Sequence, residues 1–212
     1  GAYRAADMLA VITKSLDTNN KYQDDIAGIQ LKQILNNATC SSAAQQEVNG
    51  LYRVVEFLGI LAKELDKTSS YSSSIEDVLT RFDTQDDTCN KTPQQTVNGS
   101  YRAVELLHII AKELDIGTYS SKISSIVSSW YDDDSSCTSA VQQEVNGLYT
   151  CVQLLNIITK EKDPTGVFLS AVSNSMDTFS NNDSSCQGAS QQVVNAYYRM
   201  TELLAVIAAI DE

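Results

Sequence analysis

Histidine is almost absent from this chain, and tryptophan, proline and cysteine are scarce. The 212 residues include one histidine (His108), one tryptophan, two prolines and five cysteines. Catalytic acid–base groups and transition-metal sites draw heavily on histidine and cysteine, so this inventory leaves little for either. No apolar run approaches the roughly 20 residues that a membrane-spanning helix needs. We therefore predict no enzyme, no cofactor, no metal site and no membrane span.

Positive charge is scarce as well. The chain has 15 Lys and Arg residues against 27 Asp and Glu residues, which gives a net charge of -12. Such acidity disfavours binding to phosphate backbones, so we expect no nucleic-acid partner. Apolar residues make up 42% of the chain and charged residues 20%. Both values are close to those of globular proteins and indicate a soluble chain that folds.

What the chain has in abundance is internal repetition. One phrase occurs four times, as QQEVNGLYR at 45–53, QQTVNGSYR at 94–102, QQEVNGLYT at 142–150 and QQVVNAYYR at 191–199. The tyrosines at its eighth position, together with Tyr3 of a clipped first copy, are spaced 49, 49, 48 and 49 residues apart. A fixed spacing of this length predicts tandem repeats of about 48 residues.

Each unit contains two helical patterns. The longer pattern, helix A, runs from about Ala44 to Asp66 in the second copy, with apolar residues at the i, i+3, i+4, i+7 spacing of an amphipathic helix. The shorter pattern, helix B, extends from about Tyr71 to Phe82, and its serine-rich start predicts serine N-caps. An acidic segment that ends in cysteine follows each B helix, and we expect it to be a loop.

The predicted fold is therefore all-α, with nine helices in the order ABABABABA. A single hairpin cannot bury both faces of such apolar helices, so the tandem helical hairpins must pack together as a stacked solenoid or a compact bundle. We predict a clipped first repeat at 1–40, full repeats at 41–89, 90–137 and 138–186, and a terminal half-repeat at 187–212, all in one cooperative domain. The clipped first copy suggests a processed product or a piece of a longer array.

The cysteines fall into two groups. Cys151 lies inside a helix A and is expected to be a buried small hydrophobic residue. The others recur once per unit, and in an exported protein they are disulfide candidates: Cys40, Cys89, Cys137 and Cys186. Stacked helices lie about 8 to 10 Å apart, further than bridged Cα atoms allow, so pairing requires converging loops or bridges between chains. Free thiols in a reducing compartment are the alternative.

Four N-x-S/T sequons favour export and a secreted, extracellular glycoprotein. Asn37, Asn90 and Asn182 are the glycosylation candidates. Asn98 also matches the pattern, but it lies inside helix A and is expected to be structural.

A set of polar residues recurs on helix A. Arginine and glutamate lie three residues apart on one side of the helix, and both change together in the fourth copy, to Thr150 and Gln153. With the recurring asparagine, they predict a polar lock between repeats rather than a ligand-binding strip. The lock residues are Asn49, Arg53, Glu56, Asn98, Arg102, Glu105, Arg199 and Glu202.

Other polar residues carry weaker signals. The run from Asp132 to Asp134 lacks the spacing of an EF-hand calcium loop, so these acids are expected to be solvated or to cap helices. His108 occupies a position that is glycine, asparagine or alanine in the other copies. We interpret it as incidental.

Two functions remain open at this stage. The first is a non-catalytic secreted structural or interaction protein that binds itself or another protein, with a processed unit of a longer repetitive or self-assembling chain as one version of it. The alternative is a carrier of a small hydrophobic ligand such as a lipid or pigment. The residues expected to line its apolar cavity are Tyr71, Phe82, Tyr119, Trp130, Phe168, Met176 and Phe179.

Overall fold

The computed structural model describes residues 1–39, 42–88, 91–137, 139–185 and 188–211, and these ranges contain nine α-helices and no strand. The prediction of an all-α fold is confirmed. Five A helices alternate with four B helices; the first A helix has 15 residues, the other four have 22 or 23, and each B helix has 17. The A helices are α1 (Ala2–Leu16), α3 (Ala43–Leu65), α5 (Thr92–Leu114), α7 (Ala140–Lys162) and α9 (Ala189–Ile210). The B helices are α2 (Gln23–Thr39), α4 (Ser72–Thr88), α6 (Ser120–Ser136) and α8 (Leu169–Ser185).

The A helices form a closed ring. Each packs against the A helix before it and the one after it, and α9 packs against α1. Among the described residues, no A helix contacts the A helix two positions further around the ring. The centre of the ring must therefore be filled by side chains. The B helices lie outside this ring, and each one bridges two successive A helices with its larger contact on the second. The first and last helices of the chain are thereby brought together.

Glycine allows neighbouring A helices to approach closely. A Cβ atom on Gly50 would lie 2.8 Å from the Cβ of Ala2, and one on Gly99 would lie 2.8 Å from Cγ of Leu51. Real Cβ atoms do not tolerate such distances. Both glycines face the preceding A helix at the same level of the ring, which shows that successive A helices run in the same direction.

The interior of the ring is built in layers, each with one residue from every A helix. One layer consists of five leucines: Leu9, Leu58, Leu107, Leu155 and Leu204. The next layer consists of one leucine and four isoleucines, all at most 8% exposed: Ile12, Leu61, Ile110, Ile158 and Ile207. Burial of these side chains contributes about 1.5 to 3 kcal/mol each and dominates the stability of the ring.

Aspartates start the B helices, and the prediction of serine N-caps is wrong. Asp66 accepts hydrogen bonds from the backbone N–H of Tyr71 at 3.0 Å and from the hydroxyl of Ser72 at 3.1 Å. Asp17, Asp115 and Asp163 accept equivalent backbone bonds at the starts of the other B helices. Serine donates to the capping carboxylate here, because an ionised carboxylate is the stronger acceptor for orphan N–H groups.

The acidic segments after the B patterns are helical, and the prediction of loops is wrong there. The segment that contains Asp132 to Asp134 forms the last turns of α6, and 181–185 forms the last turns of α8. Side-chain hydroxyls stabilise these turns, since Ser135 donates to the carbonyl of Asp132 at 2.7 Å and Ser184 to that of Asn181 at 2.7 Å. These residues have weak helix propensity, but their side chains bond the backbone locally while the backbone itself stays helical.

Candidate functional site

One end of the ring interior is polar. At the level of the helix N-termini, α3, α5 and α7 contribute Glu47, Thr96 and Glu144, where α9 contributes Val193. Glu144 is only 7% exposed, and its Oε2 accepts a hydrogen bond of 3.1 Å from the hydroxyl of Thr96. Its Oε1 is buried without a hydrogen-bond partner among the described residues. A carboxylate in this setting is costly when charged.

The titration of these groups follows from their burial. Burial and, to a smaller extent, the nearby Glu47 carboxylate raise the pKa of Glu144 to about 7, against the opposing effect of the Thr96 hydrogen bond. Burial also raises the pKa of Glu47. Near neutral pH the pair can therefore hold a proton inside the ring.

Tyr197 fills the interior next to these carboxylates. It is 3% exposed, and its hydroxyl has no hydrogen-bond partner among the described residues. Burial raises its pKa, and Glu47 and Glu144 contribute in the same direction. The layer it occupies has room for a large side chain, because α1 and α5 contribute only Ala2 and Ser100 there. The Cys151 thiol, which also neighbours Tyr197, is fully buried.

Sequence reasoning missed this cluster, although a signal was available. Glu47 lies four residues before Leu51 and therefore on the same inward stripe of the A helix. Its counterpart in the last copy is Val193, an apolar residue that is buried. This position faces the interior of the ring and is glutamate, threonine or valine in different copies, which indicates a polar group in the core.

The recurring asparagine makes the same hydrogen bond in every copy. Its side-chain amide donates to the backbone carbonyl of the residue 16 positions earlier, on the preceding B helix. Asn98 reaches the carbonyl of Phe82 at 3.2 Å, and Asn195 reaches that of Phe179 at 3.1 Å. Asn49 and Asn146 make the equivalent bonds to Gln33 at 3.4 Å and Trp130 at 3.0 Å. The asparagine therefore joins helix B to the following helix A within the fold.

The predicted arginine–glutamate pairs are present. Nε of Arg53 lies 2.8 Å from Oε2 of Glu56, and Arg102 and Glu105 repeat this distance. Arg199 lies 2.8 Å from Glu202 through its terminal guanidinium nitrogen. The three arginines are at most 8% exposed. Such buried charges are stable only when they are paired.

The B helices extend two of these pairs into three-charge networks. Lys32 of α2 lies 2.9 Å from Glu56, and Arg81 of α4 lies 2.9 Å from Glu105. In the fourth copy the corresponding B residue is Ser129, beside Thr150 and Gln153, so all three charges are absent together. Sequence reasoning identified the pairs but missed the contribution of the B helix, because that cation lies 24 residues away.

The seven residues proposed to line an apolar cavity do not meet in one place. Three of them pack edge to face on the recurring tyrosines outside the ring, with Phe82 on Tyr52 at 4.8 Å and Phe179 on Tyr149 at 4.7 Å between ring centroids. Trp130 packs in the same way on Tyr101 at 5.1 Å. The others lie on separate B helices or at their starts: Tyr71, Tyr119, Phe168 and Met176. These side chains form the A–B contacts rather than the walls of a shared cavity.

The interior offers little free space. Between the leucine and isoleucine layers and the ring's C-terminal end, an apolar cavity of about 10 Å³ remains. That is about the volume needed for one water molecule. Lys162 and Asp211 lie at this end and form an ion pair of 2.6 Å.

A larger surface groove lies at the same end of the molecule. It has a volume of about 630 Å³ and contains Asp115, Glu161 and Asp163. Burial and, to a smaller extent, the neighbouring Asp115 carboxylate raise the pKa of Glu161 to about 8. The Asp115 and Asp163 carboxylates are already engaged in capping α6 and α8. Among the described residues, no three acids, histidines or cysteines are arranged to hold a metal ion.

The remaining predicted sites are placed as follows. Cys137 and Cys151 are free thiols, whereas Cys40, Cys89 and Cys186 lie outside the described residues, so the described chain contains no disulfide. Burial raises the pKa of the Cys151 thiol.

Asn182 lies in the last turns of α8, and its amide donates to Asn195 at 3.3 Å. Asn37 lies on α2, but its side chain is outside the described part of the chain. Asn90 lies wholly outside the described residues. His108 is partly buried, which lowers its pKa.

One described helix is long and apolar enough to cross a membrane. It is α9, and half of its most apolar window is buried within the molecule. Its inward residues complete the leucine and isoleucine layers, so packing in the ring accounts for this apolar composition.

No protein-family model, curated protein or solved structure matches this chain.

Proposed function

We propose that this chain is a non-catalytic, secreted structural or interaction protein, built from tandem helical repeats of about 48 residues that close into a ring. One observation carries the proposal: the polar residues that recur from copy to copy are engaged in contacts within the fold. The asparagines tie helix B to helix A, and the arginine–glutamate pairs lie at the same junctions. Recurrent polar residues in a catalytic or ligand site would converge on a cleft instead.

The small interior disfavours the alternative of a hydrophobic-ligand carrier. Ligand pockets have volumes of about 300 to 1,000 Å³ and are lined mainly by apolar side chains. The apolar cavity in the ring is about 10 Å³. The aromatic side chains on the B helices pack against tyrosines of the A helices and leave no common space. A carrier would require the helices to separate before a lipid or pigment could enter.

The cysteines and sequons support secretion and covalent assembly, which belong to the same proposal. Cys137 is partly exposed just after α6, where oxidants and partner thiols can reach it. Its three counterparts recur at the same position of each unit. We propose that oxidation of these cysteines joins units or chains.

Expression through an oxidising secretory route tests this function. Electrophoresis with and without reductant should show disulfides at the four recurrent cysteines, and a variant with those four changed to serine should lose them. Cys151→Ser is the matched control and should leave the pattern unchanged. Native mass spectrometry should give the mass of the polypeptide and its glycans alone. Fully reduced recurrent cysteines, or a bound hydrophobic molecule, would contradict the proposal.

A further inference from the structure

The outer face of α2 differs from that of every other B helix. Leu31, Ile34 and Leu35 are 56%, 67% and 56% exposed, and we call these three residues the α2 stripe. The residues at the same positions of α4 are Thr80, Asp83 and Thr84. Those of α8 are Asp177, Ser180 and Asn181, and α6 has Ser128, Tyr131 and Asp132. Three exposed aliphatic side chains on one helix face form a patch of the kind that marks an interface.

A second unusual surface lies between α9 and α1. Each of the other four grooves between neighbouring A helices is bridged by a B helix, whereas no described B helix bridges this one. Its apolar side chains are consequently exposed: Val11 by 49%, Val194 by 51% and Tyr198 by 48%. Their counterparts on α3, at the positions of Ile60, Val48 and Tyr52, are 7% to 8% exposed. We call these three exposed residues the α9–α1 groove.

The four covered grooves indicate what fits the uncovered one. In each covered groove, an amphipathic helix lies across two A helices, and in three of them it places an aromatic ring against the recurring tyrosine. Tyr198 is the counterpart of those tyrosines, and no such ring contacts it among the described residues. The groove is therefore shaped for the apolar face of a helix.

The stripe and the groove lie on the same side of the molecule. Helix α2 packs on α1, and α1 packs on α9. Lys32 marks the side of α2 that faces α3, since it contacts Glu56. At 100° per residue, Leu31, Ile34 and Leu35 lie about 100°, 160° and 60° from Lys32 in the same rotational sense, so the α2 stripe faces away from the ring, with Ile34 furthest from the α3 side. An apolar helix face and an empty helix groove are thus adjacent on one surface.

We propose that two copies of this chain pair about a two-fold axis, with the α2 stripe of each copy in the α9–α1 groove of the other. A surface that carries both a knob and the matching groove is self-complementary, and a two-fold axis satisfies both contacts at once. The charges agree with this pairing. Arg4 and Lys14 are exposed on the face of α1 that carries Val11, and Asp24 is exposed on the face of α2 that carries the stripe. Asp7 is also exposed on α1, but it accepts a hydrogen bond from Gln33 of the same copy. The pairing rests on the proposed role as an interaction protein and identifies its partner as a second copy of itself.

The test is the mass of the protein in solution under reducing conditions, measured by sedimentation over a range of concentrations. We expect a species of twice the 23.2 kDa chain mass. Leu31→Thr combined with Ile34→Asp introduces the residues found in α4, and it should weaken dimerisation by about tenfold or more. Val11→Lys changes the groove alone and should act in the same direction. Ile116→Asp is the matched control, because Ile116 is 95% exposed and lies outside both surfaces.

Circular dichroism of each variant checks that the monomer remains folded. A wild-type chain that stays monomeric, or a dimer that both sets of variants leave intact, would overturn the pairing. A synthetic peptide of α4 that binds the monomeric variant at Tyr198 would assign the groove to a separate helix and would also overturn it. Reductant removes disulfides from this test, so its outcome is independent of the oxidation and ligand experiments that test the proposed function.

Discussion

The two ends of the ring interior differ in chemistry although the same helices build them. Toward the C-terminal ends of the A helices, two successive layers contain only leucine and isoleucine. Toward the N-terminal ends, Glu47, Thr96, Glu144 and Tyr197 occupy inward positions, and two of their polar atoms are buried without hydrogen-bond partners in the part of the chain that the structure describes. The comparison indicates that the apolar end supplies stability and that the polar end makes the fold sensitive to pH.

The largest expected effect comes from opening a hole in the apolar end. Leu107 is 1% exposed in the layer of five leucines. Leu107→Ala should lower the free energy of unfolding by about 2 to 5 kcal/mol, because it removes buried methyl groups and leaves a cavity between parallel helices. Urea unfolding measures this change. Ile116→Ala, at an exposed position, should alter stability by less than about 0.5 kcal/mol. Similar losses for the two variants would show that the layer does not carry the stability.

The second-largest expected effect is on the pH dependence of stability and comes from Glu144 alone. Its pKa is raised in the folded state to about 7, so the folded chain holds this proton more tightly than the unfolded chain. The associated stability is fully present below the ordinary glutamate pKa and is lost as pH rises toward 7. Glu144→Gln removes this loss and keeps an acceptor for Thr96. The variant should match the wild type near pH 4 and exceed it by about 2 to 3 kcal/mol near pH 8.

Urea unfolding of the two proteins at several pH values measures that divergence. Glu76→Gln, which changes an exposed carboxylate on α4, is the matched control and should follow the wild-type profile. Parallel profiles for the wild type and Glu144→Gln would mean that Glu144 is solvated in the folded protein. Carboxylates at the polar end would then affect the pH dependence of stability no more than carboxylates on the surface do.

The smallest effect concerns the buried hydroxyl of Tyr197. Tyr197→Phe removes a polar atom that has no hydrogen-bond partner among the described residues, so stability should rise by roughly 1 kcal/mol. Tyr131→Phe, at a side chain that is 59% exposed, should have no measurable effect. Thermal unfolding near pH 5, where the carboxylates carry more protons, resolves the difference. A loss of stability would show that the hydroxyl is hydrogen-bonded at the polar end.

Sequence reasoning predicted the helices well because their apolar spacing is regular. The prediction for helix A in the second copy, from about Ala44 to Asp66, differs by one residue at each end from the observed Ala43–Leu65. The ends of the B helices were misplaced. Aspartate and serine favour turns in isolation, but in α6 their side chains bond the helix backbone and their backbone stays helical.

Closure of the ring and the chemistry of its interior could not be read from local patterns. Contact between α9 and α1 joins residues nearly the whole chain apart, and no periodicity encodes it. The arginine–glutamate pairs were accessible because they are three residues apart on one helix. Lys32 and Arg81, which complete two of the networks, became visible only when the B helices were placed against the A helices.

The parallel direction of the five A helices has an electrical consequence. Each helix has a macrodipole equivalent to about half a positive charge at its N-terminus. The five dipoles of the ring point the same way, whereas the four B helices outside it run in the opposite direction and oppose them. Glu47 and Glu144 lie near that positive face, where their negative charge is least costly. A two-fold axis perpendicular to the helix axes would set the A helices of one copy antiparallel to those of the other, so the dipoles of the two rings would oppose each other in the pair.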